Sequence, residues 1–229
     1  MSRKGGAGKT TVDVNLALEG LASGRRVVLA DIDPQRSSME ALRGRDDVGS
    51  FLVTTTAAKL FTLANECERS GCDLLVIDTA PAPEPDVIAA MNIADICLAV
   101  ARPTFLDLAS VAHSMDLVRR LRKPGMAVLN QCPPARNGIE APAVLKAFEA
   151  LRYAGLPVAP VALRARTAYQ SALSQGLSMA EYGLDDKAAG ELGRLFAYVL
   201  AQLDEETRAA PVVPAWALMR APSASPMTH

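Results

Sequence analysis

The sequence predicts an α/β fold, a mainly parallel sheet covered by helices on both faces. Three observations predict it. Short, nearly continuous apolar segments alternate with helix-length stretches, the pattern of strands buried on both sides. A glycine-rich phosphate-binding signature opens the chain and runs straight into a helical pattern. Aspartates close two of the apolar segments, at the carboxyl edge where ligands bind in such sheets. A chain of 229 residues is long enough for one well-buried domain of this kind.

Taken in order, a helix is expected near 10–23, where Val12, Leu16 and Leu21 recur at helical spacing among small apolar residues. Segment 26–31 (Arg-Val-Val-Leu-Ala-Asp) reads as a buried strand, followed by a helix near 58–70 and a second strand at 73–78 (Asp-Leu-Leu-Val-Ile-Asp). Strands at 96–101 and 126–130 continue the series, and 156–163 is expected to close it; helices near 107–122 and 141–153 fill the gaps. The last helix, about 186–204, is amphipathic: Ala188, Leu192, Leu195, Phe196, Val199 and Leu203 form the apolar stripe, while Glu191, Arg194 and Gln202 are expected to face away. Residues 1–206 form the domain. Composition then shifts to Ala, Pro, Val and Ser, so 207–229 reads as a disordered tail with Trp216 as a minor anchor.

One element is missing from this series. A phosphate loop follows a strand and opens a helix, yet only Met1, Ser2 and Arg3 precede Lys4. The expectation is a truncated start; otherwise the missing first strand leaves a groove and a poorly held loop.

The loop itself reads Lys4-Gly-Gly-Ala-Gly-Lys-Thr-Thr11. The ordinary pattern is G-x-x-x-x-G-K-[ST]. Gly8, Lys9 and Thr10 supply its end, but Arg3 holds the opening glycine position and an additional lysine, Lys4, stands at the loop entrance. Gly5, Gly6 and Gly8 allow positive φ and close backbone approach to a phosphate, so successive N–H groups, Ala7 among them, form an anion nest at a helix N-terminus. Lys9 adds a point charge, and the Thr10 hydroxyl is placed to ligate Mg²⁺. One lysine suffices for the bound phosphates; a second at the entrance is placed to reach a neighbouring subunit's nucleotide, which suggests a sandwich dimer.

Asp31-Ile-Asp-Pro-Gln35 follows the first strand, with Asp31 and Asp33 on the same side by alternation. One carboxylate can hold a Mg²⁺-bound water and the other can orient the attacking water, although the same string also reads as a turn that caps a helix. Asp78 ends the next strand before Thr79-Ala-Pro81 and fits the Mg²⁺-binding acid of phosphate-loop enzymes.

Bulk composition narrows the classes. Half the chain is hydrophobic, only 4% is aromatic, and the formal net charge is −1, so DNA binding requires a local basic patch. Cys67, Cys72, Cys97 and Cys132 form no C-x-x-C pair, which with two histidines argues against zinc. Cys97 and Cys132 fall in or beside strands, as small packing residues. No apolar run reaches the roughly 20 residues that span a bilayer, and no signal peptide is visible.

The loop, Asp31-Ile-Asp-Pro-Gln35 and Val76-Ile-Asp-Thr-Ala-Pro81 together resemble the ParA/MinD group of deviant-Walker ATPases. The segments Arg164-Ala-Arg-Thr-Ala-Tyr169, Gly176-Leu-Ser-Met-Ala-Glu-Tyr182 and Lys187-Ala-Ala-Gly-Glu-Leu192 are similar to small plasmid-type ParA partition proteins. The resemblance covers about residues 3–204. It implies a P-loop NTPase fold of the SIMIBI type, with ATP and Mg²⁺ as cofactors and slow basal ATP hydrolysis. It implies that Lys4 acts across the dimer, Lys9 on phosphate, Thr10 with Asp31 and Asp78 at Mg²⁺, Thr11 at the α-phosphate, Asp33 on the hydrolytic water and Asn130 at adenine. It further implies an ATP-state homodimer that coats nonspecific DNA, a centromere-binding ParB-type partner that stimulates hydrolysis, and a cytoplasmic, nucleoid-associated protein without a membrane anchor. The cargo is a plasmid, a chromosome region or a protein assembly.

Two basic groups are candidates for DNA phosphates: Arg119, Arg120, Arg122 and Lys123 at a helix end, and Arg164 with Arg166. Against them stand a solvated C-terminal helical turn for the first group and local ion pairing for the second. Two other functions use the same fold. A MinD-like membrane-positioning ATPase needs a basic amphipathic C-terminal helix, and the segment after 206 has only Arg208, Arg220 and several prolines. A metabolic ATP-dependent enzyme needs a substrate motif that the chain does not show.

Overall fold

A computed structural model describes residues 6–80 and 84–209, with side chains as far as 205. The expected tail, 207–229, falls almost wholly outside the described residues. In chain order the elements are α1 (Lys9–Ala22), β1 (Val27–Asp31), α2 (Ser37–Ala41), β2 (Leu52–Thr54), α3 (Leu60–Ser70), β3 (Leu74–Asp78), α4 (Glu84–Ile93), β4 (Cys97–Ala101), α5 (Phe105–Arg120), β5 (Gly125–Leu129), α6 (Pro142–Tyr153), α7 (Thr167–Leu173), α8 (Met179–Tyr182) and α9 (Asp186–Ala209).

Every strand pairing is parallel. β1 lies between β2 and β3, in register from Val27↔Leu74 to Asp31↔Asp78. β4 pairs with β5 from Cys97↔Gly125 to Ala101↔Leu129. Alternation sends Val100, Met126 and Val128 to one face, into a core with Val12 and Leu16 of α1 and Leu192, Leu195 and Val199 of α9. It sends Ala99, Ala101, Ala127 and Leu129 to the other, under α5 and α6. Burial on both faces is why these strands read as continuous apolar runs.

Among the described residues the strand pairings form two groups, β2-β1-β3 and β4-β5. A cavity of about 670 Å³ lies between them, lined by Leu74, Val76, Ile96, Leu98, Leu16 and Val199 among others. The first four residues of β3 are only partly buried, whereas β1 and β4 each have four of five residues buried.

Three expectations need correction. Segment 156–163 is no continuous strand: it touches β5 through Ala127↔Val158 and, just beyond, Cys132↔Arg164 as isolated bridges. Pro157 and Pro160 lack the N–H groups a ladder requires, while Pro157 still offers its carbonyl to Ala127. Glu191 faces inward, 7% exposed, where arginines draw it. The last helix continues to Ala209. Short α2, β2, α7 and α8, and α4 with its weak amphipathic pattern, left no clear sequence signal.

Candidate nucleotide site

The phosphate loop sits at the carboxyl edge of the sheet and is held from below. Gly6 (φ +92°) and Gly8 (φ +83°) take left-handed backbone conformations, and Gly8 caps α1, whose first turn is closed by Val12 N–H donating to Gly8 O at 3.1 Å. β5 delivers two amides to the loop: Asn130 Nδ2 donates to Ala7 O at 2.9 Å, and Gln131 Nε2 donates to Gly6 O at 2.9 Å. A Cβ on Gly8 would run into Asn130 Nδ2, so glycine is required here both by φ and by space. Lys4 and Gly5 lie outside the described residues.

Asn130, expected at adenine, is 4% exposed, and its amide nitrogen donates to the loop carbonyl, so it braces the loop. Gln131, exposed beside it, is a loop contact that sequence reasoning missed.

Asp31 and Asp78 close adjacent strands as register partners and are both fully buried. Asp31 Oδ1 accepts from Asp33 N–H at 3.0 Å, and its Oδ2 accepts from Ser38 N–H at 3.2 Å and Met39 N–H at 3.3 Å. Burial raises its pKa, and these backbone donors pull the other way. Ser38 Oγ donates to Asp78 Oδ2 at 2.8 Å and so joins the two acids; neither Ser38 nor this link was foreseen. Asp33 is half-buried and its Oδ1 accepts from Gln35 N–H at 2.8 Å, the turn geometry weighed against its water-positioning role.

Asp13, one helical turn beyond Lys9, is a further residue missed. Desolvation pushes its carboxyl well above the ordinary range, and the neighbouring Asp78 charge adds to the shift. Burial lowers the Lys9 pKa, opposed by Asp13, Asp78 and Asp33 in that order. The sequence did carry a signal: a carboxylate at i+4 from the loop lysine.

The donor set fits a hard divalent cation. Asp78 Oδ1 is buried with no hydrogen-bond partner among the described residues, an oxygen left over for a metal's water shell. Thr10 in the first turn of α1 is half-exposed. Asp31, with both oxygens taken up by backbone donors, suits a supporting position better than direct ligation.

The two basic groups lie at opposite edges of the sheet. Lys123 Nζ donates to Ala94 O at 3.1 Å and Pro124 O accepts from Cys97 N–H, which places 119–123 beside the start of β4. Arg120 and Arg122 there are exposed; Arg119 is tied to Asp116 and to Gly155 O. Arg164 and Arg166 lie beyond the end of β5. Arg164 forks onto Glu140 (2.6 Å and 2.7 Å), and Arg166 pairs with Glu191 (2.6 Å) and Asp185 (3.6 Å). Their side chains are 15% and 22% exposed, so the local ion pairing weighed against a DNA role is what the structure holds. Cys97 and Cys132 pack inside, and burial pushes the Cys132 thiol up to about 12.

A glycine nest capping a helix, a lysine behind it and acids closing the neighbouring parallel strands define a phosphate-loop nucleotide-binding protein. Comparison with known proteins places it further. The CobQ/CobB/MinD/ParA nucleotide binding domain matches residues 1–213. Maintenance of carboxysome distribution protein A from Gloeobacter kilaueensis is 35% identical over 214 residues, 91% of this chain and 94% of that protein. An ATP complex of McdA from Cyanothece has a similar fold, with TM-score 0.65 and 18% identity over 91% of this chain and 94% of that one. MinD complexed with Mg-ADP from Pyrococcus horikoshii OT3 gives TM-score 0.70 and 17% identity over 90% and 96%. The chain belongs to the CobQ/CobB/MinD/ParA nucleotide-binding family, and within it to the ParA/MinD ATPases.

Proposed function

We propose that the chain is an ATP-driven positioning switch: it binds Mg-ATP, dimerises, and in that state holds nonspecific DNA until a cargo-bound partner of ParB type stimulates hydrolysis. The observation that carries this reading is the pair of buried, register-matched acids, Asp31 and Asp78, linked through Ser38 beside a loop that Asn130 and Gln131 brace. The 35% identity to a carboxysome distribution protein supports a large protein assembly as cargo beside a plasmid or chromosome region. The protein then acts in the cytoplasm on the nucleoid; Arg120 and Arg122 are the exposed members of its basic groups.

The residues divide the work as follows. Gly6, Ala7 and Gly8 direct backbone N–H groups at the phosphates, with Gly5 and Thr11 at the two ends of the nest. Lys9 supplies positive charge where negative charge accumulates. Thr10 and Asp78 would hold Mg²⁺, which when bound neutralises phosphate charge and favours departure of the leaving group. Asp31 keeps the Asp33 turn and the first residues of α2 in place through its backbone bonds. Asp33 orients water, and slow basal turnover follows from the weakness of one carboxylate in that role. Lys4 reaches the partner subunit's nucleotide.

Sedimentation with ATP, ADP or no nucleotide tests the switch. The parent chain dimerises with ATP only, Lys4→Ala stays monomeric while retaining nucleotide binding, and Asp33→Ala remains a dimer because hydrolysis is lost. Unchanged dimerisation of Lys4→Ala removes the cross-subunit role, and normal hydrolysis by Asp33→Ala removes its assignment.

A further inference from the structure

We propose that Cys67 and Cys72 form a reversible disulfide, a thiol–disulfide exchange site built into the turn between α3 and β3. The site stands apart from the nucleotide-binding residues, and the inference does not depend on the positioning-switch reading.

The turn itself brings the pair together. α3 ends on Gly71 in the left-handed conformation, at φ +72°. Gly71 N–H donates to Glu68 O at 3.1 Å, and Cys72 N–H donates to Cys67 O at 2.8 Å. These are the two bonds of a Schellman turn, which sets the residue after the glycine against the residue that accepts its N–H. An apolar contact usually fills that place. Here both side chains are thiols, and the two are hydrogen-bonded to each other. Their backbones are already joined by a hydrogen bond, so a sulfur–sulfur bond of about 2 Å is within side-chain reach.

Arg26 holds the turn from the other side. Its N–H donates to Asp73 Oδ2 at 2.8 Å, and its Nη1 donates to Ser70 O at 3.2 Å. Its carbonyl accepts from Asp73 N–H at 2.8 Å and Leu74 N–H at 3.2 Å. The thiols are thus carried on a fixed segment.

Exposure divides their roles. Cys67 is 6% exposed, whereas Cys72 is half-buried. Burial first, and the adjacent Cys72 next, push the Cys67 thiol up to about 11. Cys72 therefore makes the first attack. Its Sγ donates to Leu74 O at 3.3 Å and to Arg26 O at 3.4 Å, and loss of that proton yields the thiolate. The co-reactant is a low-molecular-weight disulfide, RSSR. The Cys72 thiolate attacks one of its sulfurs, the S–S bond breaks and one RS⁻ leaves. Cys67 then loses its proton and attacks Cys72 Sγ, and the second RS⁻ leaves. The two protein thiols give up two electrons and two protons, and RSSR becomes two RSH. A half-exposed disulfide is labile, so excess thiol reverses the reaction. The bond ties the last turn of α3 to the lead-in of β3, the strand that ends at Asp78. Cys97 lines the same cavity as Cys67 and Cys72 and is the competing partner, whereas Cys132 packs elsewhere in the core.

Anaerobic equilibration of the full chain with oxidised and reduced glutathione, followed by thiol titration and peptide mapping, tests the site. The parent chain is expected to lose two titratable thiols, to give a 67–72 link within one chain, and to regain both thiols in excess reductant. If the native turn favours the bond, the bond favours the native turn by the same factor. Tm is therefore expected to rise by roughly 5 °C on oxidation. Cys97→Ala should leave the link and the Tm shift in place, and Cys72→Ser should abolish both. No thiol loss, a stable mixed disulfide with glutathione, a 72–97 link or a link between two chains would each overturn the assignment. So would a 67–72 link formed with no gain in Tm, because the native turn would then not favour it. Mapping on the parent chain decides the pairing without any variant.

Discussion

At the scale of single residues, the loop's support is more specific than its glycine pattern announces. Gly8 combines a φ of +83° with an amide against the space a Cβ would fill. Gly8→Ala is expected to weaken ATP-analogue binding by about 10- to 100-fold, from strain of roughly 1–3 kcal/mol at a left-handed position, read by titration with a fluorescent nucleotide. Asn130→Ala separates two roles. As a brace on Ala7 O, Asn130 supports any nucleoside triphosphate, so ATP and GTP affinities should fall together by about tenfold, the cost of a lost buried hydrogen bond. A fall for ATP alone would favour the adenine contact. The glycines, Lys9, Asp31 and Asp78 were legible because each has a fixed place in a short motif. Ser38, Gln131 and the loop contact of Asn130 were not, because their partners lie 40, 125 and 123 residues away.

At the scale of elements, α8 shows how a four-residue helix is kept. Ser178 and Glu181 cap each other's backbone N–H groups in a capping box, and Glu181 also pairs with Arg45 at 2.7 Å, tying α8 to the turn ahead of β2. Hydrogen bonding to Arg45 holds the Glu181 carboxyl down at about 2, below the 4.5 of an unperturbed glutamate. Its contribution to stability is therefore present above about pH 4.5 and fades as pH falls toward 2. Glu181→Ala is expected to cost about 1 kcal/mol at pH 7, mainly through the lost cap, since the ion pair is largely solvated. The difference in denaturant midpoint should narrow on acidification; a constant difference from pH 7 to pH 3 would contradict the pairing. The long elements were readable from periodicity, and 156–163 misled because its apolar content suits a strand while its prolines forbid a full ladder. Glu191 misled for another reason: its stripe position counted as polar, but Arg164 and Arg166, distant in sequence, pull it inside.

At the scale of the whole molecule, the described strands pair in two parallel groups, β2-β1-β3 and β4-β5, and a cavity is lined by residues of both together with α1 and α9. Alternating apolar segments and helix-length stretches foretold the parallel layer, but not this cavity. The two basic groups, separated by the length of the strands, leave the exposed pair Arg120 and Arg122 to carry any DNA contact from this set. Arg120→Ala with Arg122→Ala should lower DNA affinity about evenly across sequences and reduce its salt dependence by roughly two phosphate contacts. The central claim is a nucleotide-controlled hold on DNA. Its most direct test is the binding of nonspecific duplex DNA with ATP, with ADP and with no nucleotide. The account predicts salt-sensitive binding with ATP alone. Binding that ignores the nucleotide, or no binding at all, would contradict it.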